Sequence, residues 1–220
     1  MEAEHPGLAF AAMSLTEADV LNLFTESGAL LHGHFVLTSG RHADTYFEKF
    51  DVLRHPRHVE ALCALIADKV RGANVAVDVV LGPTTLGIVM AYEVARQLGA
   101  TAAYGEKGAD GERFLRRPDH LRQHDRVLVV DDVLTTGGSV RECTHLVASV
   151  GATLVGVGVL VDRTGGTADF GVPLVSALSL HVQSWEPEEV PTALANVPIS
   201  RPGSTGKKEV PGTDLPGAGR

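Results

Sequence analysis

The stretch Val127-Leu-Val-Val-Asp-Asp-Val-Leu-Thr-Thr-Gly-Gly-Ser139 decides how the rest of the chain is read. Arg126 to Val130 is an apolar, β-branched run, which predicts a buried strand. Ser139 to Val150 has apolar residues at helical spacing and stops at Gly151, which predicts a helix. Two acids, then hydroxyls and glycines, lie between them. Backbone amides at a helix N-terminus attract phosphate, and glycines such as Gly137 and Gly138 let the chain approach closely. Thr135, Thr136 and Ser139 add hydroxyl donors. Asp131 and Asp132 cannot serve the phosphate itself, because like charges repel. They can accept hydrogen bonds from vicinal sugar hydroxyls, or hold a metal ion that binds a second phosphate group. An acid pair beside a phosphate cradle describes a sugar phosphate. The bland alternative is a capped helix after a strand with incidental acids. A Walker loop does not fit, since no Lys follows the glycines and the spacing is wrong.

Working outward, strands alternate with helices. Val75 to Leu81 and Thr101 to Tyr104 read as strands, and Leu86 to Leu98 as a helix stopping at Gly99. Thr153 to Val161 is another buried strand, ending in Asp162-Arg163, and Leu174 to Val182 adds one more. Such alternation predicts an α/β fold with a central parallel sheet covered by helices. Upstream, Ser14-Leu-Thr-Glu17 fits a capping box for a helix running to about Ser27. Two short strands follow, His34 to Arg41 and Asp44 to Glu48, around a turn at Ser39-Gly40. A second helix is expected from Pro56 to Gly72. Arg201 to Arg220 has almost no large apolar side chains and reads as a flexible tail.

The chain of 220 residues is 44% hydrophobic and 21% charged, enough for an ordinary soluble core. No apolar run reaches the roughly 18 residues of a membrane span, and no basic n-region opens the chain, so a cytoplasmic setting is expected. The net charge of −8 argues against nucleic-acid binding but not against a local phosphate site. Cys63 and Cys143 sit in helix-like apolar segments and read as buried thiols. Among ten histidines, the pairs His55/His58 and His120/His124 lack a clear third ligand, so zinc is not expected. Mg²⁺ is, held mostly by substrate oxygens and water.

Gly82-Pro-Thr-Thr-Leu-Gly87 is a second strand-to-helix loop, either a tight turn or a place for pyrophosphate. Tyr104 to His124 holds glycines with Lys107, Arg113, Arg116 and Arg117, interleaved with acids. It is either a mobile loop that closes over a departing anion or a solvated hairpin.

The Val127–Ser139 stretch resembles, over its full length, the signature by which type I phosphoribosyltransferases bind 5-phosphoribosyl-1-pyrophosphate (PRPP). Gly82–Gly87 resembles that family's pyrophosphate loop, with Thr84 and Thr85 as contacts, and Ala91-Tyr-Glu-Val-Ala-Arg-Gln-Leu-Gly99 reads like the orotate phosphoribosyltransferases. Gly33-His-Phe-Val-Leu-Thr-Ser-Gly-Arg-His-Ala-Asp-Thr-Tyr-Phe47 looks like the orotate enzymes' hood segment. The resemblance covers about Leu15 to Val182.

It implies a type I phosphoribosyltransferase fold in three parts. These are a helix and hood segment at 1–54, the PRPP-binding core at 55–183, and a C-terminal segment with its tail at 184–220. It implies that Tyr46 and Phe47 lie near orotate, that Arg163 contacts its carboxylate, and that Lys107 and Arg113 approach pyrophosphate. Asp131 and Asp132 would hold the ribose hydroxyls, and Mg²⁺ held through PRPP could also meet them. A homodimer sharing the mobile loop is expected. Thr38 and Leu86 stand where some members carry lysines, which leaves the cations around pyrophosphate open. The implied reaction joins orotate and PRPP to give orotidine 5′-monophosphate and pyrophosphate. The rivals are a phosphoribosyltransferase for a purine or other base, and a PRPP-sensing regulator without catalysis.

Overall fold

Long β-branched runs in this chain are bounded by glycine and followed by amphipathic helices, and the computed structural model builds layers from them. It describes residues 15–37, 39–180 and 182–200. The expected flexible tail, Ser14 and Thr38 lie outside the described residues.

In chain order the elements are α1 (Glu17–Glu26), β1 (Leu30–Val36), β2 (His42–Phe47), α2 (Lys49–Leu53), α3 (Pro56–Gly72), β3 (Val79–Pro83), α4 (Leu86–Leu98), β4 (Thr101–Lys107), β5 (Arg113–Phe114), β6 (Arg126–Leu134), α5 (Gly138–Ser149), β7 (Thr153–Asp162), β8 (Leu174–Ser179), β9 (Ser184–Trp185), α6 (Thr192–Ala195) and β10 (Ile199–Ser200). The described residues form two compact units, one within 15–30 and 49–182, the other within 31–48 and 183–200. Helix α1, grouped with the hood in the sequence reading, belongs to the larger unit and packs on β8.

The larger unit is an α/β layer structure on a six-stranded sheet of order β5-β4-β3-β6-β7-β8. Neighbours from β4 through β8 are parallel, and only β5 runs antiparallel, against β4. Helix α5 covers one face, where Val140, Cys143 and Val147 pack against Val127, Val129, Val157 and Val159. Helices α3 and α4 cover the other, with α3 against β7 and β8 and α4 against β3, β4 and β6. Gly158 lets α3 come close, since a Cβ there would sit 2.7 Å from Ile66 Cγ2.

Several expected boundaries shift. The first helix is capped by Thr16 and Asp19 rather than by Ser14 and Glu17. The Thr16 amide donates to Asp19 Oδ2 at 2.8 Å, and the Asp19 amide donates to Thr16 Oγ1 at 3.2 Å. Both motifs have the same spacing, so periodicity alone could not choose. β3 begins at Val79 rather than Val75, because pairing starts only beyond Asp78, whose carboxylate accepts from the Arg126 guanidinium at 2.6 Å. The short α2 was not expected. β6 runs four residues past its apolar stretch, through both acids, because β7 continues to pair with it as far as Leu134↔Asp162.

The smaller unit is a four-stranded sheet of order β10-β1-β2-β9. Its β10 runs parallel to β1 and its β9 antiparallel to β2. Arg41 ties the two chain segments together by donating to Ser184 Oγ at 2.9 Å, to the Ser184 carbonyl at 2.7 Å and to Glu186. The buried His34 ring bonds the Val197 carbonyl at 3.1 Å and His42 Nδ1 at 2.6 Å.

Candidate functional site

Because the acids belong to a strand, their side chains leave it on opposite faces. Asp131 shares the α5 face and lines a pocket of about 230 Å³ with residues 133–140 and Glu142. Asp132 points the other way and meets Lys49 at the start of α2, Nζ lying 2.9 Å from Oδ2 and 3.1 Å from Oδ1. The acids are linked through the backbone, the Asp132 amide donating to Asp131 Oδ1 at 2.8 Å and the Val133 amide to Asp132 Oδ1 at 2.6 Å. Both are buried. Burial first, and the neighbouring Asp132 charge second, push the Asp131 carboxyl up to about 7.

The pocket floor is the turn from β6 into α5. Thr135, Thr136, Gly138 and Ser139 are exposed there. Gly137 has φ of 78°, a left-handed conformation, and forms the N-cap of α5. It supplies no side-chain cap, so the first amides of α5 are left for whatever fills the pocket. A Cβ at Gly137 would also press on the Phe170 ring at 3.2 Å.

The β3–α4 loop ends nearby on the same sheet edge, because β3 is the direct neighbour of β6. Its Thr84–Thr85 peptide is cis. The Thr84 amide donates to the Gly105 carbonyl at 3.1 Å, which anchors the loop on β4. Gly82 and Gly87 touch backbone to backbone, and a Cβ on Gly82 would lie 2.0 Å from the Gly87 carbonyl oxygen. Gly82→Ala is therefore expected to displace backbone and to destabilise the fold by roughly 1–3 kcal/mol, read as a lower melting temperature.

Within Tyr104 to His124, the part through Phe114 completes a hairpin of β4 and β5, and a single 3-10 turn at Pro118–His120 follows. The hairpin is closed by the Gly108 amide on the Glu112 carbonyl at 2.8 Å and by the Glu112 amide on Asp110 Oδ1 at 3.0 Å. Arg113 is almost fully buried, donating to the Gly105 carbonyl at 2.7 Å and to Glu142 Oε2 at 2.8 Å. Lys107 reaches Glu142 Oε1 at 3.1 Å and stays half-exposed. Burial raises the Glu142 carboxyl, but the hydrogen bonds from Lys107 and Arg113 outweigh it and hold the group below its ordinary range. Arg116 is taken up by Glu106.

Arg163 follows β7, and its amide donates to the Leu134 carbonyl at 2.9 Å, beside the pocket turn. Tyr46 and Phe47 lie on β2 in the smaller unit. The Tyr46 ring is 5.6 Å from Phe35, and Phe47 is buried. The larger unit thus gathers Asp131 and residues 135–139 around one pocket, with Lys107 and Arg113 joined to that pocket's Glu142. Two side chains at the site carry no local sequence signal. Lys49 is an isolated lysine and Glu142 an ordinary helix acid, and only contact across the fold marks them. Burial pushes both cysteine thiols up to about 12, so neither is a ready nucleophile. No helix among the described residues is long and apolar enough to cross a membrane.

The phosphoribosyl transferase domain family matches residues 51–192. Orotate phosphoribosyltransferase of Thermoanaerobacter sp. (strain X514) is 42% identical over 190 residues, which are 86% of this chain and 98% of that protein. Its counterpart in Heliobacterium modesticaldum (strain ATCC 51547 / Ice1) is 44% identical over 86% of this chain and 99% of its own. The crystal structure of orotate phosphoribosyltransferase from Aeropyrum pernix superposes with a TM-score of 0.63 at 30% identity. It covers 73% of this chain and 93% of that one.

Proposed function

The chain belongs to the orotate phosphoribosyltransferases, and on that premise we propose which of its groups carry out the transfer. The reaction joins orotate to PRPP, giving orotidine 5′-monophosphate and pyrophosphate on the route to UMP. The observation that carries the site reading is the buried acid pair ending β6 directly before the open N-terminus of α5.

In this reading Thr135, Thr136, Gly137, Gly138 and Ser139 hold the 5′-phosphate with hydroxyls and first-turn amides. That remote anchor orients the anomeric carbon, an effect worth several kcal/mol of barrier in well-placed systems, on the order of a thousandfold or more in rate. Asp131 and Asp132 receive the ribose hydroxyls. Their negative field favours the positive charge that builds on the sugar as the bond to pyrophosphate breaks. Thr84 and Thr85 offer donors to pyrophosphate. Lys107 supplies a cation once it leaves Glu142, while Arg113, tied to the Gly105 carbonyl, holds the hairpin base. Arg163 takes the orotate carboxylate as a guanidinium fork, and Tyr46 and Phe47 are assigned to the flat base on the family resemblance. No protein nucleophile is required.

Mg²⁺ suits this donor set only as a substrate-held ion. Among the described residues no three His, Cys, Asp or Glu side chains converge as a metal cage, whereas PRPP brings its own oxygens. Bound that way, it would neutralise charge on the departing pyrophosphate. A homodimer is also part of the proposal. Val89 and Tyr92 on α4 and Phe50 on α2 are exposed and give a second copy an apolar surface. The Lys107–Arg113 hairpin would then reach the neighbouring site. A cytoplasmic location accords with two free, buried thiols.

The test follows orotate absorbance with PRPP and Mg²⁺, with and without the protein, and with purine bases in parallel. Orotate loss with matched orotidine monophosphate and pyrophosphate is the expected result. Turnover with a purine instead, or PRPP binding without turnover, would overturn it.

A further inference from the structure

Lys49 is the first residue of α2, a helix of five residues. A cation in a first helical turn gains nothing from the helix dipole. The acids beside it in sequence, Glu48 and Asp51, are closer along the chain than its actual partner. Lys49 nevertheless reaches 83 residues along the sequence to bridge both oxygens of Asp132. The Asp132 side chain is only 7% exposed, so this contact is made where water screens little.

The geometry has a consequence for the sugar site. Asp132 Oδ1 already accepts from the Val133 amide, and the Lys49 ammonium spans Oδ1 and Oδ2. Two donors on one carboxylate fix its plane, and the remaining lone pairs point along directions set by the protein rather than by the ligand. Without the ammonium, Asp132 would be a buried carboxylate next to Asp131 with no cation in contact, and the two would repel. Lys49 also counteracts, as a smaller effect, the burial and the Asp132 charge that raise the Asp131 carboxyl.

We infer that Lys49 is a positioning residue for phosphoribosyl transfer, clamping the Asp132 carboxylate in the orientation that receives the ribose hydroxyls of PRPP. This rests on the acid-pair assignment under Proposed function. Lys49 acts through Asp132, and its effect should appear in PRPP binding and turnover but not in the affinity for orotate. An arginine can span the same two oxygens, whereas a methionine keeps only the apolar stem.

The experiment uses the full chain and five proteins: wild type, Lys49→Met, Lys49→Arg, Asp132→Asn, and Lys49→Met combined with Asp132→Asn. PRPP binding is measured by calorimetry without base, and kcat and KM are measured for both substrates. Lys49→Met is expected to weaken PRPP binding and to lower kcat/KM for PRPP about 10- to 100-fold, with KM for orotate unchanged. Lys49→Arg should restore most of that loss. The double variant should be little worse than Asp132→Asn alone, because the clamp has nothing left to hold. Multiplying effects in the double variant, an equal loss for both substrates, or wild-type kinetics in Lys49→Met would each overturn the inference. A melting temperature lowered in Lys49→Met but not rescued along with activity by Lys49→Arg would make the contact structural only. PRPP binding is read without base. An enzyme that binds PRPP with this Lys49 dependence but ignores orotate would therefore refute the base assignment and leave the clamp standing.

Discussion

Asp132→Asn is expected to lose about 1.5–3 kcal/mol of transition-state stabilisation, roughly a 10- to 150-fold fall in kcat/KM for PRPP. The amide has the shape of the carboxylate but only one acceptor oxygen. If that oxygen keeps the Val133 amide, the NH2 group faces Lys49, donor against donor. If the side chain flips, the clash moves to Val133. Either way one charge-assisted acceptor is withdrawn from the ribose, and the charge opposing the positive sugar ring is gone. The fall should lie mostly in kcat if the carboxylate acts on the developing charge, and mostly in KM if it only grips hydroxyls. Steady-state kinetics over a PRPP series reads both. Unchanged kcat/KM would remove Asp132 from the sugar site.

Asp131→Asn should do something different and make the unliganded protein more stable while impairing catalysis. The Asp131 carboxyl is held at about 7 against an ordinary value near 3.8, chiefly by burial. The folded chain therefore keeps this proton to higher pH than the unfolded chain does, so unfolding releases it between about pH 4 and 7. Stability from this group is intact below pH 4, falls as pH rises through that window, and is lowest above about 7. Asparagine has no charge to bury and escapes the loss. The melting temperatures of the two proteins should coincide near pH 4. They should separate with rising pH, to a gain on the order of 2–4 kcal/mol for the variant at pH 8, about 4–16 °C. A constant gap across the pH range would mean that Asp131 is not the titrating group. The trade of stability for a buried charge is what a site that must face a cationic transition state requires.

Much of this was legible in the sequence because it is written in short-range patterns. The run Arg126 to Val130, the glycines at 137 and 138 and the helical spacing from Ser139 give a glycine-rich strand-to-helix turn without any tertiary information. Gly82 to Gly87 is legible in the same way, and the crowding of Gly82 on Gly87 shows why both positions need glycine. The ends of β6 and α1 were not legible. Whether a strand stops at its first acid depends on whether a neighbour still pairs with it, and here β7 does. Which of two capping motifs forms depends on where α1 meets the sheet.

By itself the sequence determined the α/β layering, the pocket-forming turn and the residue types that a sugar phosphate needs, since these follow from periods of 2 and 3.6 and from backbone freedom at glycine. The tertiary structure alone decided who meets whom. It put Asp131 and Asp132 on opposite faces, gave Asp132 to Lys49, spent Lys107 and Arg113 on Glu142, and joined residues 31–48 to 183–200 in one sheet. The physical reason is range. Hydrophobic periodicity is local and survives in any fold of the same class, whereas an ion pair needs two side chains within about 4 Å, and only the packing of distant elements sets that distance.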